Sequence, residues 1–162
     1  MANVIAIGDI APDFAMPDTQ LKPVHLKEFH GRNIILVFFV SAFTSTCTKE
    51  ACAFRDSTDR LVDLKAQVIG ISVNDPFSNK VFAEKNRLAF PLLSDYNRKV
   101  IKAYGVESPD FAGLKGFTVA RRSIFILDKE GIVRYVWIAG NSEIEPDYNK
   151  IEQFLQELEL RT

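Results

Sequence analysis

Sulfur is scarce in this sequence. Two cysteines and two methionines are spread over 162 residues. One pair of thiols can build neither the multi-bridge framework of a small secreted domain nor the four-thiolate cage of a structural zinc. Histidine is equally sparse. His25 and His30 have no zinc-ligand spacing to either cysteine, so no metal is expected. No apolar run reaches the ~20 residues that cross a bilayer. The first residues lack the basic start and apolar stretch of a secretion signal, and a cytoplasmic protein is expected. The net charge is −1, which gives no electrostatic case for nucleic acid or an anionic membrane. Internal repeats, low-complexity stretches and linker-like composition are also missing. One domain over residues 1–162 is expected, long enough to bury its own core.

What the chain does have is phenylalanine, 13 in all, and a regular alternation of strand-like and helix-like periods. Residues 1–32 form a lead-in, with turn signals at Ala11-Pro12-Asp13 and Met16-Pro17-Asp18. Val24 to Phe29 reads as a short strand followed by a helical turn. Ile34–Phe39 is a continuous apolar run of the kind buried on both faces of a sheet. Cys47 to Lys65 reads as one helix, Gln67–Val73 as a second buried strand, and Pro76–Asn86 as a helix with proline suited to its first turn. A short strand at Pro91–Asp95 and a helical stretch from Arg98 to Tyr104 follow. Arg122–Asp128 and Ile132–Ile138 read as a hairpin around Lys129-Glu130-Gly131. Tyr148–Leu160 carries apolar residues at helical spacing and closes the chain. This order implies an α/β domain, a central mixed β-sheet flanked by helices.

Both cysteines lie where the first core strand gives way to a helix. At such a junction backbone N–H groups and the helix dipole stabilise a thiolate, the reactive form of cysteine. Cys47 is therefore the candidate nucleophile. Thr44, three residues upstream, can donate or accept a hydrogen bond, and Glu50 sits where a carboxylate could orient an arginine. Cys52, five residues on, could condense with an oxidised Cys47. Five residues of ideal helix separate two Cα atoms by roughly 8.7 Å. A disulfide needs them within about 7 Å, so the bond requires the helix to unwind. Arg121 and Arg122 compete for one place, because alternation along a strand sends them to opposite faces. Phe39, Phe43 and Trp137 fit equally well as pocket wall or plain core.

The segment FFVSAFTSTCTKEACAFRD, residues 38–56, closely resembles the active-site segment of peroxiredoxins. The form CTKEAC resembles the peroxiredoxin Q group, also called bacterioferritin comigratory proteins. The resemblance extends through APDFAMPD, AFPLLSDYNRKVIKAYGV and RRSIFILDKEGIVRYVW, in family order and over nearly the whole chain. It implies a thioredoxin-like fold and a thiol peroxidase of the atypical two-cysteine type. Cys47 would be the peroxidatic cysteine and Cys52 the resolving one. Thr44 and Arg122 would hold peroxide and thiolate in line, and Val40, Thr46 and Glu50 would form the substrate-binding wall. The implied partners are a peroxide and a thioredoxin-like protein reductant. No cofactor is implied, and the chain would act as a monomer or homodimer. One position departs from the family pattern Pro-x-x-x-Thr-x-x-Cys: Val40 stands in place of the proline. Valine keeps the apolar bulk but restores a backbone N–H and frees φ, so activity is expected to persist, weakened.

Three other readings stay open. Cys47 could work alone with an external thiol, the chain could serve as a redox sensor or holdase, or it could act as a disulfide oxidoreductase. The last is disfavoured because no Cys-x-x-Cys is present.

Overall fold

The computed structural model describes residues 3–161. Met1, Ala2 and Thr162, at the ends of the expected 1–162 domain, lie outside the described residues. In chain order the strands are β1 (Ala15–Pro17), β2 (Pro23–His25), β3 (Asn33–Phe38), β4 (Ala66–Ser72), β5 (Leu92–Ser94), β6 (Glu107–Ser108), β7 (Val119–Ala120), β8 (Ser123–Leu127) and β9 (Val133–Ile138). The α-helices are α1 (Ser45–Asp56), α2 (Thr58–Asp63), α3 (Pro76–Asn86), α4 (Lys99–Ala103) and α5 (Tyr148–Leu160). Single 3-10 turns cover Leu26–Phe29 and Phe111–Gly113.

Five strands form the central sheet in the order β5-β4-β3-β8-β9. β3 runs parallel to β4 and antiparallel to β8; β4 and β5 are parallel, β8 and β9 antiparallel. This is the mixed sheet expected of a thioredoxin-like fold. All six residues of β3 are buried, because helices and loops cover both faces. Alternation divides its side chains between two cores. Ile34, Leu36 and Phe38 pack with Ile69, Ile71, Leu93, Tyr104 and Phe125 on one face. Ile35 and Val37 pack with Phe54, Leu61, Ile124 and Leu155 on the other. A third, smaller cluster sits beyond the C-terminal end of β3 and joins Phe39, Val40, Ala42 and Cys47 to Phe82, Leu92 and Val119. The site grows from this third cluster.

Local chemistry sets the helix boundaries. Asp75 accepts from the Ser78 N–H at 2.8 Å and Pro76 opens the first turn of α3. Asp147 accepts from the Lys150 N–H at 3.1 Å and starts α5. Both helices span the residues expected of them.

The single helix expected over Cys47–Lys65 is instead two. α1 begins earlier, at Ser45, and ends at Asp56; α2 follows after Ser57. The Ser57 hydroxyl donates to the Ala53 carbonyl at 2.9 Å, the back-bonding that interrupts a helix ladder. The expected turn at Met16-Pro17-Asp18 also moves. Met16 and Pro17 belong to β1, paired with β2, and the turn lies beyond them. Asp18 organises it by accepting from the N–H groups of Gln20 and Lys22 at 2.8 and 3.1 Å. The β6–β7 pairing was not expected, and the segment it closes packs Val119, Phe111 and Phe117 against the third cluster. Among the described residues no helix is long and apolar enough to cross a membrane.

Candidate active site

Cys47 occupies the first turn of α1 and is 1% exposed. The chain reaches it from β3 through a tight approach: Phe43 adopts φ +72°, a left-handed conformation that is strained for a non-glycine residue. The Phe43 ring packs edge-on to Phe82 at 5.3 Å, which holds the approach in place. Thr44 is the N-cap residue, with extended backbone, yet its side chain caps none of the first-turn N–H groups. Its hydroxyl donates back to the Ser41 carbonyl at 3.0 Å. The first N–H groups of a helix have no intrahelical partners, and Cys47 belongs to that first turn, at the positive end of α1.

Arg122 comes from the residue just before β8 and is 2% exposed. Its Nη2 lies 3.0 Å from Cys47 Sγ. Nη1 donates to Glu50 Oε1 at 2.9 Å, and Nε and Nη2 donate to the Ser142 carbonyl at 3.2 and 2.8 Å. Four contacts therefore fix the guanidinium plane against the sulfur. Of the two arginines, which lie in the link between β7 and β8, Arg122 is buried and Arg121 is exposed.

Glu50 is as buried as Cys47 and its Oε2 has no hydrogen-bond partner. Burial pushes its carboxyl up to about 7 from an ordinary 4.5; attraction and a hydrogen bond from Arg122 oppose the rise, and the charge of Glu145 adds to it. On the Arg122 side burial disfavours the charge, but attraction to Glu50 and to the Cys47 sulfur outweighs it. The guanidinium keeps its charge and the carboxyl is the partner that titrates.

Val40, Thr44, Ser45, Thr46, Phe111, Arg122, Ser142 and Glu143 line a cleft of about 160 Å³ beside the sulfur. The structure thus brings Val40, Thr44, Thr46, Cys47, Glu50 and Arg122 together. Phe39 and Phe43 flank Phe82 in the cluster that also holds Val40 and Cys47, with Phe39 stacked on it at 6.1 Å, and none of the three lines the cleft. Trp137 is not grouped with them: it stands opposite Ile124 on β9 and packs into the core of Ile35, Val37 and Phe54, on the sheet face that α1 covers.

Cys52 lies apart. Both thiols are free, and both belong to the unbroken helix α1, about 140° apart around its axis. Cys52 Sγ faces Asn86 Oδ1, at the end of α3, at 3.8 Å. Arg55 beside it donates to the Asn86 carbonyl at 2.8 Å. Among the described residues no three His, Cys, Asp or Glu side chains converge as metal ligands would.

Two groups escaped the sequence reading. The Ser142 carbonyl takes two bonds from Arg122, but a main-chain acceptor leaves no side-chain signal; only the turn-like Gly140-Asn141-Ser142 marks the place. Asn86 contacts Cys52 across a span of 34 residues.

A mixed thioredoxin-like sheet that sets one buried thiol under an arginine at a helix N-terminus defines a peroxiredoxin-type protein. The AhpC/TSA family model matches residues 7–136, and the chain belongs to that family. It is 41% identical over 143 residues to the chloroplastic peroxiredoxin Q of Triticum aestivum, covering 88% of this chain and 62% of the wheat protein. The chloroplastic peroxiredoxin Q of Gentiana triflora is 38% identical over 154 residues, covering 94% of this chain and 67% of that protein. The chain therefore spans about two thirds of the length of these plant relatives. Among solved structures, peroxidoxin BcpB from Mycobacterium tuberculosis superposes with a TM-score of 0.83 at 32% identity, covering 94% of this chain and 97% of that one.

Proposed function

We propose that the chain is a thiol-dependent peroxidase that reduces hydrogen peroxide and small organic hydroperoxides. The observation that carries this reading is the 3.0 Å contact between Arg122 Nη2 and a buried cysteine sulfur in the first turn of a helix. A cation and helix N–H groups favour the thiolate. The same groups stabilise negative charge that develops on the departing oxygen. The Cys47 thiolate attacks the nearer peroxide oxygen and the O–O bond breaks. Cys47 becomes the sulfenic acid, and the leaving oxygen departs as water or an alcohol after taking up a proton. Val40 and Thr46 shape the cleft wall, Thr44 holds the turn that presents Cys47, and Glu50 keeps Arg122 in register with the sulfur. The small volume of the cleft suits small peroxides.

In the second half of the cycle Cys52 condenses with the Cys47 sulfenic acid. A sulfur–sulfur bond forms and one water leaves. A dithiol protein of the thioredoxin type then reduces the disulfide by exchange and is itself oxidised. Because α1 is continuous through both cysteines, this step needs its first turns to unwind.

A second reading is favoured by the position of Cys52, turned away from Cys47 and engaged with Asn86. In a one-cysteine cycle an external thiol would resolve the sulfenic acid directly. Intact mass and thiol count after one equivalent of hydrogen peroxide separate the two. Loss of two hydrogens and both thiols within one chain is the expected result. Gain of one oxygen, with one thiol left and full turnover in Cys52→Ser, would establish the one-cysteine cycle. No rapid change would end the peroxidase reading.

A further inference from the structure

Residues near the end of α1 and the end of α3 form a polar cluster that the chemistry above does not use. Asn86 is the last residue of α3 and links to three partners. Its Nδ2 donates to the Phe82 carbonyl at 3.0 Å, which orients the amide. Its Oδ1 then faces Cys52 Sγ at 3.8 Å. Its carbonyl, one of those a helix end leaves unpaired, accepts from Arg55 Nη1 at 2.8 Å. A cation at a helix C-terminus also complements the helix dipole. Cys52 and Arg55 lie three residues apart, on one face of α1, so both contacts grip the same stretch of helix.

That stretch has to move if Cys52 is to reach Cys47. An intact helix holds the two Cα atoms roughly 8.7 Å apart, beyond the reach of a disulfide. Unwinding swings Cys52 off Asn86, and displacement of the following turn also draws Arg55 off the α3 carbonyl. These two contacts oppose release of the resolving thiol and leave the Cys47–Arg122–Glu50 contacts untouched.

We propose that Asn86 and Arg55 form a latch that holds Cys52 on α3 and sets the rate at which it is released to condense with oxidised Cys47. The proposal rests on the two-cysteine reading. A latch also sets a branch point. While it is closed, the Cys47 sulfenic acid can meet a second peroxide and pass to the sulfinic acid, with release of one more water or alcohol. While it is open, the sulfenic acid and the Cys52 thiol give a disulfide and water. Asn86 and Arg55 are thus positioning residues that partition the intermediate.

The test is stopped-flow oxidation of the reduced protein, with quenched samples weighed by mass spectrometry, in wild type, Asn86→Ala and Arg55→Gln. Loss of the neutral thiol–amide contact in Asn86→Ala predicts disulfide formation about fivefold faster, and loss of the charge-assisted but partly exposed bond in Arg55→Gln predicts at least that acceleration. The second-order rate of Cys47 oxidation should be unchanged, and less sulfinic acid should form at high peroxide. Tyr104→Phe serves as the control, because it removes the 2.7 Å bond to the Pro12 carbonyl far from α1. If general destabilisation were the cause, this variant would speed the disulfide as well, and that result would overturn the latch. Unchanged or slower disulfide formation in Asn86→Ala and Arg55→Gln, with a disulfide still forming in wild type, would overturn the latch and leave the two-cysteine reading standing. Absence of an intramolecular disulfide in every protein, wild type included, would overturn both.

Discussion

At its Cys47 end, α1 is pinned by a buried ion pair and by apolar packing around Phe82 and Val119. At its Cys52–Arg55 end it rests on α3 through a weak thiol contact and a guanidinium that is one-third exposed. Buried, charge-assisted contacts are strong and exposed ones weak. The polar contacts of α1 are thus strongest beside the Cys47 sulfur and weakest beside the Cys52 thiol, while buried Phe54 keeps that second end of the helix on the sheet. One helix divides its polar anchors unevenly rather than spreading them over its whole length.

Arg122→Met should break the rigid end most severely. It removes the donor nearest the sulfur and the fastening of the Ser142 loop. Removal of one preorganised donor predicts a fall of about 10² to 10³ in the rate of Cys47 oxidation, measured by stopped-flow fluorescence or competition. A fall of less than tenfold would mean that the helix N-terminus alone activates the thiol.

Glu50→Gln probes the same end through pH. In the folded chain the Glu50 carboxyl is pushed up to about 7 from 4.5, so the folded state binds this proton more tightly than the unfolded state. The associated stability is fully present below about pH 4.5 and is lost as pH rises through about 7. Denaturation midpoints should therefore show wild type losing stability relative to Glu50→Gln across that window, by on the order of 3 kcal/mol. Parallel pH curves for the two proteins would show that Arg122 keeps the carboxylate ionised throughout.

Thr44→Val sharpens the comparison with the smallest effect. It deletes the hydroxyl bond to Ser41 that braces the approach to Cys47 and should reduce stability by about 1 kcal/mol. A much larger loss of peroxide reactivity than of stability would show that the hydroxyl turns from Ser41 to the substrate during reaction.

Regular elements were legible where period and punctuation agreed. Ile34 to Phe38 is apolar at every position, and Asp75-Pro76 and Asp147 announce α3 and α5. The break at Ser57 was hidden because it depends on a side chain bonding its own helix, an arrangement that helical periodicity does not reveal. β6 and β7 have two residues each, too few to show alternation. At the site, Cys47, Thr44 and Arg122 were visible through residue type and the resemblance of their flanking segments. The burial of Glu50 was not, since its partner lies 72 residues away and the fold alone brings them together.

The interruption at Ser57 has a consequence for cooperativity. α2 carries its own core anchor in Leu61, and Ser57, which donates to Ala53 and accepts from Leu61, is the link between its ladder and that of α1. Opening of α1 can therefore end at Ser57 as a small foldon instead of spreading down the chain. If the Cys47–Cys52 disulfide forms as proposed, hydrogen exchange should show lost protection in the first turns of α1 and native protection from α2 onward. Each proposed turnover would then melt and reform the start of one helix while the sheet behind it keeps its shape.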